Sequence, residues 1–214
     1  MKITLPLFLL LFNVTYKEIK SIVIQNRITY SNLYTTSIEK KKVIEKAQLE
    51  IKTILIDQII PNWYGTKWSF EGHTEIPKSG NIACGYFVST TLRDAGFKLN
   101  RYKLAQLNPL EVAKIMSCGE TITTIKNSSL TELKKHFLTL KDGIYFIGLD
   151  FHVGYILKEQ QNVYIIHSNY INKQGVVKEN IEKSKAASST TYYIVPISNN
   201  QKLIKKWILN QSLN

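Results

Sequence analysis

The sequence predicts an α+β fold in which helices pack on an antiparallel β-sheet. Two observations carry this. Apolar residues in the first two thirds recur at helical intervals, whereas from about residue 144 the pattern changes to period two with β-branched and aromatic residues. Helices first and strands afterwards, without βαβ alternation, is the order of an α+β protein. A chain of 214 residues with no internal repeat and no Pro/Gly-rich linker is read as a single domain over residues 21–214.

The opening MKITLPLFLLLFNVTY sets Lys2 before an apolar run from Ile3 to Phe12. That run is shorter than the roughly 20 residues of a membrane span but suits the core of a signal peptide. A signal peptide over 1–20 and a secreted or periplasmic protein are expected, although no A-x-A triplet marks a cleavage site. Residues 17–35 read as irregular and β-leaning. Thr36 and Glu39 then have capping-box spacing, and Ile44, Ala47, Ile51, Ile54 and Leu55 recur helically up to Pro61. A loop rich in Gly, Thr and aromatics occupies 65–81. The next helix runs from Cys84 to Ala95, with Gly96 as its stop. Another begins at Asn108 as N-cap with Pro109 at N1 and ends near Cys118, and a further one starts at Ser129, where Glu132 completes a capping box. Strands are expected over 144–149, 152–157, 162–168 and 190–197, with a short helix within 179–188 and an amphipathic helix in the tail NNQKLIKKWILNQ.

The net charge of +12 arises from 28 Lys and Arg against 16 Asp and Glu. It suits a solvated basic surface or an acidic partner such as a cell-wall polymer. Arginine occurs only at 27, 93 and 101, which is poor in the bidentate forks that read bases and phosphates, so no nucleic-acid partner is expected. There is no CxxC, HExxH or His-rich tract, and neither a metal nor an organic cofactor is expected. Oligomeric state is not legible.

Chemistry concentrates at Cys84. A thiol at a helix start meets the positive end of the helix dipole and free backbone N–H groups, which favour the thiolate and can stabilise an oxyanion. Cys118, near a helix end, has the opposite environment and reads as structural. Of the histidines, His136 falls in a lysine-flanked helix and reads as a surface residue. His73 lies in the loop before Cys84, where it can touch substrate. His152 opens one strand and His167 nearly closes the next. A hairpin turning near Glu159-Gln160 sets these two directly opposite, with Cβ atoms about 4.5–5.5 Å apart, so one imidazole can orient the other.

The stretch from about 65 to 169 resembles the NlpC/P60 family of papain-fold cysteine peptidases. The resemblance rests on GTKWSFEG (65–72), ACGYFV (83–88), AGFKLNR (95–101) with Gln106, KDGIYFIG (141–148), HVGYIL (152–157) and YIIHSN (164–169), in the family's order. It implies a papain-like fold, with Cys84 as nucleophile, His152 as base and His167 as the residue that orients it. It further implies hydrolysis of an amide, in that family usually in the peptidoglycan stem peptide. The chain departs from the family pattern at Ala83, where Asp is usual, and at Gly85, where Ser is usual. Trp68 stands where the family has an oxyanion-assisting Tyr; Tyr64 is the alternative donor. An acyltransferase or transpeptidase of the same fold, and a catalytically inactive binding module, are the competing expectations.

Overall fold

A computed structural model describes residues 14–213. The expected signal-peptide core from Ile3 to Phe12 lies outside them. Among the described residues no helix is long and apolar enough to cross a membrane.

The chain has the α+β organisation that the change of period predicts. Its sheet has six antiparallel strands in the order β1-β6-β2-β3-β4-β5. These strands are β1 (Thr123–Lys126), β2 (Gly143–Gly148), β3 (Val153–Glu159), β4 (Asn162–Asn169), β5 (Gly175–Asn180) and β6 (Thr191–Pro196). The inner strands β2 and β3 read as nearly continuous buried runs because both faces of the sheet are covered. One face, with Phe146, Tyr155 and Ile166, packs under the helices α1 (Tyr16–Thr36), α2 (Lys40–Thr53), α4 (Cys84–Asp94), α6 (Pro109–Ser117) and α8 (Gln201–Ile208). The other, with Ile147, Ile156 and Ile165, packs on α7 (Leu130–Leu138).

The stretch 17–35 is helical rather than β-leaning. Its start is fixed by a capping box at Thr15, whose Oγ1 accepts from the Glu18 N–H while Glu18 Oε2 accepts from the Thr15 N–H at 2.7 Å. β-branched residues lower helix propensity by only tenths of a kcal/mol each, and tertiary burial overrides that. Val23 is fully buried. The Trp63 indole donates to the Tyr16 hydroxyl at 2.8 Å, and that hydroxyl donates to Asp94 at 2.8 Å. The folded chain therefore begins ahead of residue 21. The box expected at Thr36 does not form, because α1 runs through Thr36 and α2 starts without a side-chain cap. Pro61 does not end the second helix. The backbone widens into a π-helical segment over Ile54–Ile59, Ile60 N–H reaches Leu55 O, and the short α3 (Ile60–Trp63) follows.

The spacing signals at Asn108 and Ser129 match the observed caps of α6 and α7. Residues 179–188 form two 3-10 turns, Ile181–Lys183 and Lys185–Ala187, preceded by the unexpected strand β5. A one-turn helix, α5 (Arg101–Ala105), and the edge strand β1 also carry no strong periodic signal in the sequence.

Candidate active site

Cys84 is the first residue of α4, and its N-cap, Ala83, provides no side-chain acceptor. The first-turn N–H groups are therefore open, and the thiol lies among the backbone N–H groups of Cys84, Gly85 and Val153. The segment leading to Cys84 is pinned from both sides. Ala83 N–H donates to Gly72 O at 2.7 Å, and the Ser168 hydroxyl of β4 donates to Ile82 O at 2.6 Å. Buried Tyr155 of β3 locks the helix to the sheet by donating to Val88 O at 3.0 Å and pairing with Thr91 Oγ1 at 2.8 Å. The Gly at 85 has a packing reason: a Cβ there would collide with the Ala105 carbonyl oxygen, where the end of α5 crosses the start of α4.

His152 sits just before β3, at the end of a turn closed by Leu149 N–H to His152 O at 2.8 Å. Asp150 bolts this turn to the start of β6, accepting from Thr190 N–H at 2.8 Å, Thr191 N–H at 3.1 Å and the Thr190 hydroxyl. Those hydrogen bonds, the Thr190 N–H foremost, hold the Asp150 carboxyl below its ordinary pKa.

The β3–β4 register differs from the expected one. Tyr155 pairs with Ile166 and Glu159 with Asn162, so the turn is Gln160-Gln161, with Gln160 at φ +52°. In this register Gly154, not His152, is opposite His167. The slip is two residues, which preserves the facing of the side chains, and the imidazoles become diagonal neighbours. His152 Nε2 is 2.7 Å from His167 Nδ1. Gly154 makes room for this, because a Cβ at that position would come within 2.9 Å of His167 Cβ.

The chain of hydrogen bonds continues to a residue that the sequence does not single out. His167 Nε2 is 2.8 Å from Glu179 Oε1 on β5. The same oxygen accepts from the Ser184 hydroxyl at 2.7 Å and from Asn169 Nδ2 at 3.2 Å. His167 first, and the other donors with it, keep the Glu179 carboxyl below its ordinary pKa. Tautomers follow from the hydrogen-bond network. A carboxylate only accepts, so His167 Nε2 carries the hydrogen. Neutral His167 then accepts at Nδ1. With His152 Nε2 as the donor to His167 Nδ1, the lone pair of His152 rests on Nδ1, in a residue that lines the cavity Cys84 shares.

Electrostatics here depart from a preformed ion pair. Burial outweighs the helix N-terminus and pushes the Cys84 thiol up, although three backbone N–H groups pull it down. Burial, and then the adjacent His167, hold the His152 imidazole down to about 3. The resting pair is thus thiol and neutral imidazole, in place of the thiolate that a helix start alone would favour.

Cys84 and His152 open into a cavity of about 940 Å³. Trp68 and His73 line it, so the two candidate substrate residues of the 65–81 loop are at the site. His73 Nδ1 is 2.8 Å from Glu71 O and its ring packs 5.8 Å from Tyr86. Tyr64 lies elsewhere: it packs half-buried on the core, where burial lifts its phenol to about 12, and it is not in the cavity wall. Tyr170, between the rings of Trp68 (6.4 Å) and His152 (5.3 Å), is a wall residue without a motif to announce it. Cys118 and Cys84 are both free thiols, with Cys118 in left-handed conformation at the end of α6. His136 is not a plain surface residue, since its Nε2 is buried. Among the described residues no group of three or more His, Cys, Asp or Glu is placed to hold a metal ion. No protein-family model, curated protein or solved structure matches the chain.

Proposed function

We propose that the protein is an exported cysteine hydrolase that cleaves an amide bond through an acyl-enzyme. The observation that carries the proposal is the chain His152–His167–Glu179, which engages His152 through Nε2 and leaves Nδ1 as its proton acceptor, in the wall of the cavity that Cys84 lines at the start of α4. The Cys84 S–H proton passes to His152 Nδ1 as the sulfur attacks the carbonyl carbon, because neither group is charged at rest. The first-turn N–H groups of α4 are the donors for the oxyanion. Collapse breaks the C–N bond, and His152 returns the proton to the leaving amine. Water then gives a proton to His152 and attacks the thioester, releasing the acid and restoring the thiol.

The NlpC/P60-like blocks support the same assignment and make peptidoglycan stem peptides the first substrates to screen. The apolar run from Ile3 to Phe12 supports export. A second reading, acyl transfer to an amine, is favoured by the way the trough continues past Phe151 along Pro109, Asp150 and Tyr193, where an acceptor could lie.

The test is acylation by p-nitrophenyl acetate followed by mass spectrometry. The expected result is a transient acetyl adduct on Cys84, absent from Cys118 and slowed at least tenfold in His152→Ala. Equal labelling of the two cysteines, or labelling indifferent to His152, overturns the proposal. Added amines that capture the acetyl group identify the transferase reading.

A further inference from the structure

The chain carries a net charge of +12, yet no lysine or arginine among its described residues lines the cavity at Cys84. Among the described residues the carboxylate in its wall is Glu71, Asp150 lines the adjoining trough, and the His152 imidazole is neutral. Five aromatic residues, Trp68, Phe70, Tyr86, Phe151 and Tyr170, line the cavity together with Cys84. Two of these are held out in solvent while lining the cavity, Phe70 at 83% and Phe151 at 97% exposure. A large apolar side chain left in water beside a concave apolar wall is the mark of a binding site, since its burial by a ligand is favourable. The acyl group is the part of the substrate bonded to Sγ between the two half-reactions, and this cavity opens directly on Sγ. It must therefore hold the acyl group throughout.

We propose that the cavity at Cys84 takes an uncharged, apolar acyl group, aliphatic or aromatic, packed against Phe70 and Phe151. This rests on the acyl-enzyme reading above and narrows its substrate class. An acyl group bearing a free carboxylate would face Glu71 with no cation to pair it. Stem peptides with free side carboxylates are thus poor donors, and amidated or lipid-like acyl groups are good ones.

A series of p-nitrophenyl esters from acetyl to octanoyl, with the succinyl monoester as the anionic member, tests this through kcat/KM. The expected result is a rise of up to about fourfold for each added methylene, the ceiling set by full burial of a CH₂ at about 0.8 kcal/mol. The succinyl ester is expected at least tenfold below the butyryl ester. Phe151→Ser, a change at a fully solvated side chain, should flatten the chain-length dependence. A flat or falling series, a succinyl ester as good as butyryl, or a slope unchanged in both Phe151→Ser and Phe70→Ser overturns the inference while leaving the acyl-enzyme standing. Failure of every ester, acetyl included, to acylate Cys84 overturns both.

Discussion

Replacing His152 by Gln should remove a large part of the protein's sensitivity to acid. The imidazole is 4% exposed, and its pKa falls from 6.5 to about 3 on folding, with burial the first cause and His167 the second. Below pH 6.5 the unfolded chain takes up a proton at this residue that the folded chain refuses. Stability is therefore present in full above 6.5 and is lost as the pH falls, by about 1.4 kcal/mol per unit, until the folded group itself titrates near 3. The loss from this residue is about 2 kcal/mol at pH 5 relative to pH 8. Gln at 152 can still donate to His167 Nδ1, so the hydrogen bond survives at neutral pH while the titration does not. Urea unfolding followed by the fluorescence of the three tryptophans measures both proteins at pH 8, 6 and 5. Groups common to the two, including Glu179 and Cys84, cancel to first order in the difference. The gap between wild type and His152→Gln should shift by about 2 kcal/mol in favour of the variant between pH 8 and pH 5. A gap independent of pH would refute the buried, neutral imidazole, and with it the general-base role assigned to that nitrogen.

Glu179→Ala should lower kcat by roughly 10²-fold with little change in KM, because His167 then loses the acceptor that fixes its tautomer; an unchanged pH profile and kcat would remove Glu179 from the relay. Gly154→Ala should cost about 1–3 kcal/mol in stability and displace His167, because the new Cβ meets His167 Cβ and the Ile166 carbonyl oxygen, both at 2.9 Å; calorimetry together with the esterase rate tests this. Arg101, almost fully buried, donates to Thr90 Oγ1 at 2.7 Å and to the carbonyls of His73 and Thr74, and stacks on Tyr86 and Tyr102 at 4.9 Å. Arg101→Lys loses that fork and should destabilise by about 2 kcal/mol while raising KM more than it lowers kcat, since the loop it holds bears Phe70 and His73. A loss confined to kcat would show that the loop is held by other contacts.

Local signals in the sequence determined the parts of this molecule whose causes are local. Asn108-Pro109 and Ser129 with Glu132 start α6 and α7 because caps act within one turn, and Gly96, at φ +89°, ends α4 because few other residues accept that conformation. The change from helical to alternating periodicity was enough for the α+β class and for four of the strands. The tertiary structure decided whatever depends on distant partners. Residues 17–35 are helical because Val23 and Tyr16 find burial and hydrogen bonds with residues far along the chain. Pairing of His152 with His167 was legible as a proximity, but its register was not, since a slip of two residues leaves every side chain on the same face. Glu179 carried no signal: β5 has no strong alternation, and only pairing with β4 brings that carboxylate under His167. The protonation of the pair was decided last of all. A helix start favours a thiolate over a turn or so, but desolvation by the whole surrounding fold acts on the same thiol and imidazole, and here it is the larger effect.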